Sequence, residues 1–481
     1  MAFRISFFLH NTYFLSLCLL FSFEKGFALS HISKHTHTVQ FSSLLPSSIC
    51  NPSTVPKDKA SLEVIHKYGP CSQLHQENNV DHAQDIHLQD QARVNWINSH
   101  RPKKSTATAP ANDTIYEQDA TTLPAKTGAV IGSGDYIVKV GLGTPKEDLS
   151  LIFDTGSDLT WTQCQPCDGH CYKQSEAIFD PSKSTSYATV SCTSTECSQL
   201  KSSTGTAACS RTASTCTYDE GYGDGSYTEG YFAKETLTLE SDEINNFLFG
   251  CGQNNGGLFR GAAGLLGLGR NKISIVEQAA QKYNRLFSYC LPATTSSSGY
   301  LTFGNSGGGG SVQYTPLLTP SGGLSSFYVL NLVGISVGGR RLEIPATAFQ
   351  SGTVIDSGTV ISRLPPAVYD ALRTEFRKDM SRYPLVSGDR LLDTCYDFSG
   401  SANGTVEIPN ITFLFGGGTS VDLGPENTLF GVSNPQRFCL AFAGNDKDDD
   451  IAIFGNVQQL TFQVVYDVGA ARLGFAPGGC N

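Results

Sequence analysis

Histidine is scarce over most of this chain. Nine of its ten histidines lie at or before His100, and only His170 follows. A serine or cysteine hydrolase with an imidazole base needs a positioned histidine, and a catalytic zinc site usually needs two or three. The sequence therefore predicts that the body works with carboxylates and needs no metal and no cofactor. Long apolar runs are also few. The one candidate, Phe14 to Phe23, follows Arg4 and ends near the small residues Gly26-Phe27-Ala28. It is shorter than the roughly 20 residues of a membrane span and has the layout of a signal peptide covering 1–28. No membrane partner is expected. Runs of basic residues are missing too. Residues 127–481 hold 23 Lys and Arg against 34 Asp and Glu, an acidic body with no cation cluster to displace counterions from nucleic acid.

Cysteine, by contrast, is plentiful at 15. Cys18 falls in the leader, and Cys50 and Cys71 in the polar stretch after it. The other twelve run from Cys164 to Cys480. An even number in an exported chain points to disulfides, although "CQPCDGHC" (Cys164 to Cys171) also has a zinc-like spacing. The sequons at Asn403 and Asn410 fit export and glycosylation.

Residues 30–126 carry nine cations, nine anions and eight histidines. They are polar and show little apolar period. Gln89 to His100 is the one helical stretch expected there, and Arg101 to Asp113 reads as a linker. This region is expected to be a propiece. Below about pH 6 its histidines would make it cationic, which predicts pH-dependent release. From Tyr136 onward, short apolar or alternating runs separated by Gly, Ser, Asn and Asp describe an all-β body. Two helical exceptions are expected at Ser274 to Tyr283 and Pro366 to Met380.

The body repeats one pattern. "IFDTGS" places Asp154, Thr155, Gly156 and Ser157 after an apolar pair, and "AAGLLGLG" (Ala262 to Gly269) follows about a hundred residues later. "VIDSGT" places Asp356, Ser357, Gly358 and Thr359 likewise, and "IAIFGN" (Ile451 to Asn456) follows at a similar distance. Two similar lobes would each bring one Asp to a shared cleft. The glycines would permit close backbone approach and unusual φ. Thr155 and Ser357 would bond across the lobes, and Ser157 and Thr359 would bond the carboxylates. Two carboxylates at one site cannot both ionise easily. One can then take a proton from water while the other gives one to a carbonyl oxygen, which is amide hydrolysis without a covalent intermediate.

These motifs, with Trp161 seven residues after Asp154 and "YGDGS" at Tyr222 to Ser226, resemble the pepsin-type aspartic proteases. The closer likeness is to the plant nepenthesin-like and chloroplast-nucleoid-protein-like group, over about Tyr136 to Pro477. The resemblance implies an all-β, bilobal pepsin-like fold with internal duplication and a central cleft. It implies a propeptide at 29–130, an N-terminal lobe at 131–320 carrying the first Asp, a flap and a cysteine-rich insertion, and a C-terminal lobe at 321–481 carrying the second Asp. Asp154 and Asp356 would be the catalytic dyad, Tyr222 the flap tyrosine and Trp161 the residue packed behind it. The implied disulfides are Cys164–Cys167, Cys171–Cys251, Cys192–Cys216, Cys197–Cys209, Cys290–Cys480 and Cys395–Cys439. The implied activity is a monomeric endopeptidase acting on proteins or peptides at acidic pH, secreted to the apoplast or sent to the vacuole. A catalytically inactive binding protein of the xylanase-inhibitor type is the rival reading. Nucleic-acid binding, described for some relatives, is opposed by the acidic body.

Overall fold

The computed structural model describes residues 35–53, 59–74, 82–100 and 136–480, apart from short gaps at 212, 223, 260, 306–310, 320–323, 389–390 and 433–434; side chains of the first helix are described from Leu88 onward. The expected leader and the linker from Arg101 to Asp113 lie outside the described residues.

The body is mostly β-structure in two lobes. Its core is a large sheet that places Glu147–Asp154 between Tyr136–Leu142 and Gly264–Gly267. The strand is buried on both faces from Leu149 onward, which is why Leu151, Ile152 and Phe153 are apolar without alternation. Leu149, Leu151 and Phe153 face the main core, and Ile152 faces a second core with Trp161 and Tyr222.

The duplication read in the sequence is visible as a matched pair of strand arrangements. Gly264–Gly267 runs parallel to the first Asp strand, with Gly267 opposite Asp154, and antiparallel to Trp161–Gln163. Ala452–Phe454 runs parallel to Thr353–Ile355, which leads into Asp356, and pairs antiparallel with Ser362–Leu364 through Arg363 and Ile453. Backbone bonds lock each Asp into its frame. Leu268 N donates to Asp154 O at 2.8 Å, and Asp356 N donates to Phe454 O at 3.1 Å.

The N-terminal segment is more structured than its polar composition predicts. Thr36–Gln40 pairs with Thr405–Pro409, and Ser61–His66 lies in the large sheet between Ser298–Phe303 and Tyr136–Leu142. Leu62 and Val64 are fully buried there. The period-two signal in "SLEVIH" is only six residues long and is easily lost among charged neighbours. The expected helix at Gln89 begins earlier and spans His82–Ser99.

Three further differences are local. The stretch expected as one helix from Ser274 breaks at Ala279 into Ile275–Gln278 and Ala280–Tyr283. The helix Pro366–Asp379 forms as expected and buries Val368, Tyr369, Leu372 and Phe376. An unanticipated helix, Thr195–Thr204, starts where the Ser194 side chain accepts from Cys197 N and stops at Gly205 with φ 81°. Its Ser- and Thr-rich sequence hides the helix, which cysteines hold in place.

Seven disulfides occur among the described residues. Cys290–Cys480 and Cys395–Cys439 are the pairs the resemblance implies. The other four differ from it: Cys164 joins Cys251, Cys167 joins Cys171, Cys192 joins Cys209, and Cys197 joins Cys216. The physical reason is strand adjacency. Cys164 follows Trp161–Gln163, which runs beside the strand carrying Cys251, so their Cα atoms are 5.3 Å apart. Cys50 and Cys71, left unpaired in the sequence reading, close a loop within the N-terminal segment.

Candidate active site

Asp154 and Asp356 end their strands at the lobe boundary and are both buried. The loops that follow them clasp each other. Thr155 N donates to Ser357 Oγ at 3.1 Å, and Ser357 N donates to Thr155 Oγ1 at 3.0 Å. Gly156 N donates to Asp154 Oδ1 at 2.9 Å, and Gly358 N to Asp356 Oδ1 at 3.1 Å. The two carboxylates are thus oriented by equivalent bonds from two halves of the chain.

The glycines are required by proximity. A Cβ on Gly156 would come within 3.0 Å of Asp356 Oδ1, and one on Gly358 within 2.8 Å of Asp154 Oδ1. Neither has a positive φ, so the unusual φ expected from the sequence is absent. The symmetry also fails at one point. Thr359 Oγ1 donates to Asp356 Oδ2 at 2.6 Å as expected, but the buried Ser157 Oγ, expected on Asp154, makes no hydrogen bond.

Tyr222 sits at the tip of the hairpin formed by Cys216–Gly221 and Tyr227–Leu239. Its N–H donates to Ser226 O at 2.7 Å across the turn, and Gly225 adopts φ 84° there. Its hydroxyl accepts from Trp161 Nε1 at 2.8 Å. Burial pushes the Tyr222 phenol well above its ordinary value, so it stays neutral.

A side chain that the sequence reading missed lies between the aspartates. Arg93, on the His82–Ser99 helix, is fully buried. Its Nε and Nη2 meet Asp356 Oδ2 and Oδ1, each at 2.6 Å. Its Nη2 and Nη1 meet Asp154 Oδ1 at 2.7 Å and Asp154 Oδ2 at 3.3 Å. One guanidinium nitrogen therefore touches both carboxylates. Burial alone would pull the Arg93 guanidinium down, but the two aspartates outweigh it and hold it above its ordinary value.

Helix geometry explains how Arg93 gets there. Asp90, Arg93, Val94 and Ile97 follow the i, i+3, i+4, i+7 spacing of one face. Val94 and Ile97 pack with Phe327, Val354 and Ile453, and Asn98 Oδ1 accepts from Ile451 N at 2.9 Å. Asp90 accepts from Val360 N at 2.6 Å and Ile361 N at 3.2 Å, and pairs with Arg363 Nη2 at 3.0 Å. Burial pushes the Asp90 carboxyl up despite Arg363, and likewise pulls the Arg363 guanidinium down despite Asp90. The available signal was an arginine on the apolar stripe of an amphipathic helix; alone, it reads as a solvated side chain.

Other expected residues lie away from the cleft. Asn403 is exposed, with φ 55° in a turn. Asn410 is half-buried, and its side chain contacts His37 and Thr412. Among the described residues, no group of three or more His, Cys, Asp or Glu could hold a metal ion, and no helix is long and apolar enough to cross a membrane.

Two family models match the chain: xylanase inhibitor N-terminal over residues 136–305 and xylanase inhibitor C-terminal over 327–477. An aspartyl protease family protein of Arabidopsis thaliana is 52% identical over 472 residues, covering 97% of each chain. Aspartic proteinase nepenthesin-2 of Nepenthes gracilis is 38% identical over 367 residues, covering 74% of this chain and 80% of its own. Among solved structures, soybean basic 7S globulin matches with a TM-score of 0.56 at 20% identity, covering 72% of this chain and 91% of its own. That last likeness shows the fold alone.

Proposed function

The chain belongs to the pepsin-like aspartic protease family, and from that premise we propose that it is an aspartic endopeptidase made as an inactive precursor. The observation that carries the reading is the convergence of Asp154 and Asp356, one from each half, on a single point. In the precursor that point is taken by the Arg93 guanidinium. Once residues 29–130 are removed, a water molecule and a substrate carbonyl take its place.

The mechanism needs one carboxyl ionised and the other protonated, a division that two adjacent carboxylates impose on each other. The ionised aspartate takes a proton from water as the water oxygen bonds to the carbonyl carbon. The protonated aspartate gives its proton to the carbonyl oxygen. Collapse of the tetrahedral intermediate breaks the C–N bond, and the amine leaves with a proton from the dyad. The clasp between Thr155 and Ser357 fixes the geometry beforehand. In this reading Tyr222, at the hairpin tip and bonded to Trp161, is the flap residue that covers the substrate. The disulfides support secretion to the apoplast, or delivery to the vacuole, with residues 1–28 as the leader and Asn403 and Asn410 as glycosylation sites.

An inactive binding protein of the xylanase-inhibitor type is the second reading, favoured by the names of the matching family models. The test is hydrolysis of a denatured protein at about pH 3 to 5 by the acid-activated chain, with and without pepstatin, beside an Asp154→Asn variant. General acid–base catalysis is worth about 10²–10⁴-fold, and a loss of at least that size is expected. Folded material that is free of residues 29–130 and cleaves nothing would favour the second reading.

A further inference from the structure

Asp90 fills a hollow beside the dyad, lined by donors. The backbone N–H groups of Val360 and Ile361 point at its two carboxylate oxygens, and the Arg363 guanidinium lies against them as an ion-pair partner, Nη2 3.0 Å from Oδ2. Val360 and Ile361 follow Thr359 directly on the second Asp loop, so the hollow and Asp356 share one rigid segment. Arg363 is itself fully buried. Its Nη1 donates to Ile361 O at 2.7 Å, its Nε and Nη2 make no hydrogen bond among the described residues, and Asp90 is its ion-pair partner through Nη2. The other carboxylates acting on this pair are Asp356 of the dyad, on Asp90, and Asp446, on Arg363. Asp446 is exposed and screened by water.

When the His82–Ser99 helix leaves, two amides and a cation lose their acceptor together. A buried cation without a partner is costly, and two convergent amide donors beside a cation match a negatively charged group that only accepts. That group is a carboxylate. The position fits a substrate side chain. Arg93 marks the reacting point, and Asp90 lies one turn away, about 4.5 Å of helix rise. An extended peptide covers that distance in about one or two residues.

We propose that this hollow is an acidic-residue subsite of the mature cleft, which takes an aspartate or glutamate side chain of the peptide substrate close to the scissile bond, with Arg363 as its specificity-determining residue. The proposal rests on the endopeptidase reading above. It makes Asp90 a mimic of a substrate residue, and it separates two roles for Arg363. A residue needed only to dock the helix would have no effect on cleavage after the helix is gone.

The experiment is a peptide series cleaved by the acid-activated full chain at about pH 5, where a free aspartate is ionised. A neutral parent peptide carries Asp, Glu, Asn or Leu at each of four positions on either side of the bond. At one position near the bond, Asp or Glu is expected to raise kcat/KM about tenfold over Asn, the size of one charge-assisted hydrogen bond. Arg363→Gln should abolish that preference, read within the variant as the ratio of kcat/KM for Asp over Asn, and Arg363→Lys should keep part of it. Equal rates for Asp and Asn at every position, seen with the unmutated chain alone, would overturn the proposal and leave the endopeptidase reading intact. A preference that survives in Arg363→Gln would also overturn it. Failure to cleave any peptide would remove both.

Discussion

Arg93 grips Asp356 with two parallel bonds, Nε to Oδ2 and Nη2 to Oδ1, each 2.6 Å long, across 263 residues of sequence. The planar fork of arginine suits this bidentate grip, which a lysine could not reproduce. The same guanidinium also reaches Asp154, so one residue of the N-terminal segment occupies both carboxylates at once.

Arg93→Gln should release that block. Removing one partner of a buried ion pair costs about 3–5 kcal/mol, enough to loosen a helix held otherwise by Asp90, Val94, Ile97 and Asn98. The full-length variant, assayed at about pH 5 without acid pretreatment, is expected to hydrolyse a peptide that the unmutated chain leaves intact. Equal latency in the two would show that the helix is held without Arg93.

Asp90 should act against acid release. Its carboxyl lies above its ordinary value in the docked state, first because of burial. The docked helix therefore binds more protons at this site than the free one. Docking gains from this site as pH falls through the raised value and loses from it as pH rises. Release on acidification must come from other groups. Asp90→Asn removes the opposing proton, so its release curve should be steeper and should not move to lower pH. Trp96, which lies 6.1 Å from Phe327 between ring centroids, gives a fluorescence probe. A shallower transition, or one displaced toward acid, would contradict the sign.

Trp161 and Tyr222 should depend on each other. Tyr222→Phe leaves the buried Trp161 Nε1 without its acceptor, at a cost of about 1–3 kcal/mol. Thermal denaturation should show that loss, and kcat/KM should fall with it because the hairpin tip loses its anchor. An unchanged melting temperature would mean that water replaces the hydroxyl.

The disulfide pattern can be read directly. A peptide map of the non-reduced chain should recover Cys164 with Cys251 and Cys167 with Cys171, together with Cys192–Cys209 and Cys197–Cys216. Recovery of Cys164 with Cys167 would require a different path for the loop after Trp161–Gln163.

The sequence by itself determined what is local. Each Asp motif is a short apolar strand running into small polar residues. Its repetition after two hundred residues was enough to indicate two lobes and a shared carboxylate site. The scarcity of histidine in the body, where only His170 occurs, narrowed the chemistry before any fold was known. Tertiary structure alone decided which distant groups meet. Cys164 finds Cys251 because their strands are neighbours, which no spacing encodes. Gly156 and Gly358 are needed because Arg93 and the opposite carboxylate crowd each of them, not because of their own φ. Arg93 and Asp90 carry no distinctive local pattern. They become a dyad plug and an occupant of a carboxylate hollow only when burial of Val94 and Ile97 turns that helix face into the cleft. Apolar packing sets the orientation, and the charges on the same face are carried to partners far along the chain, Ile361 among them at 271 residues from Asp90.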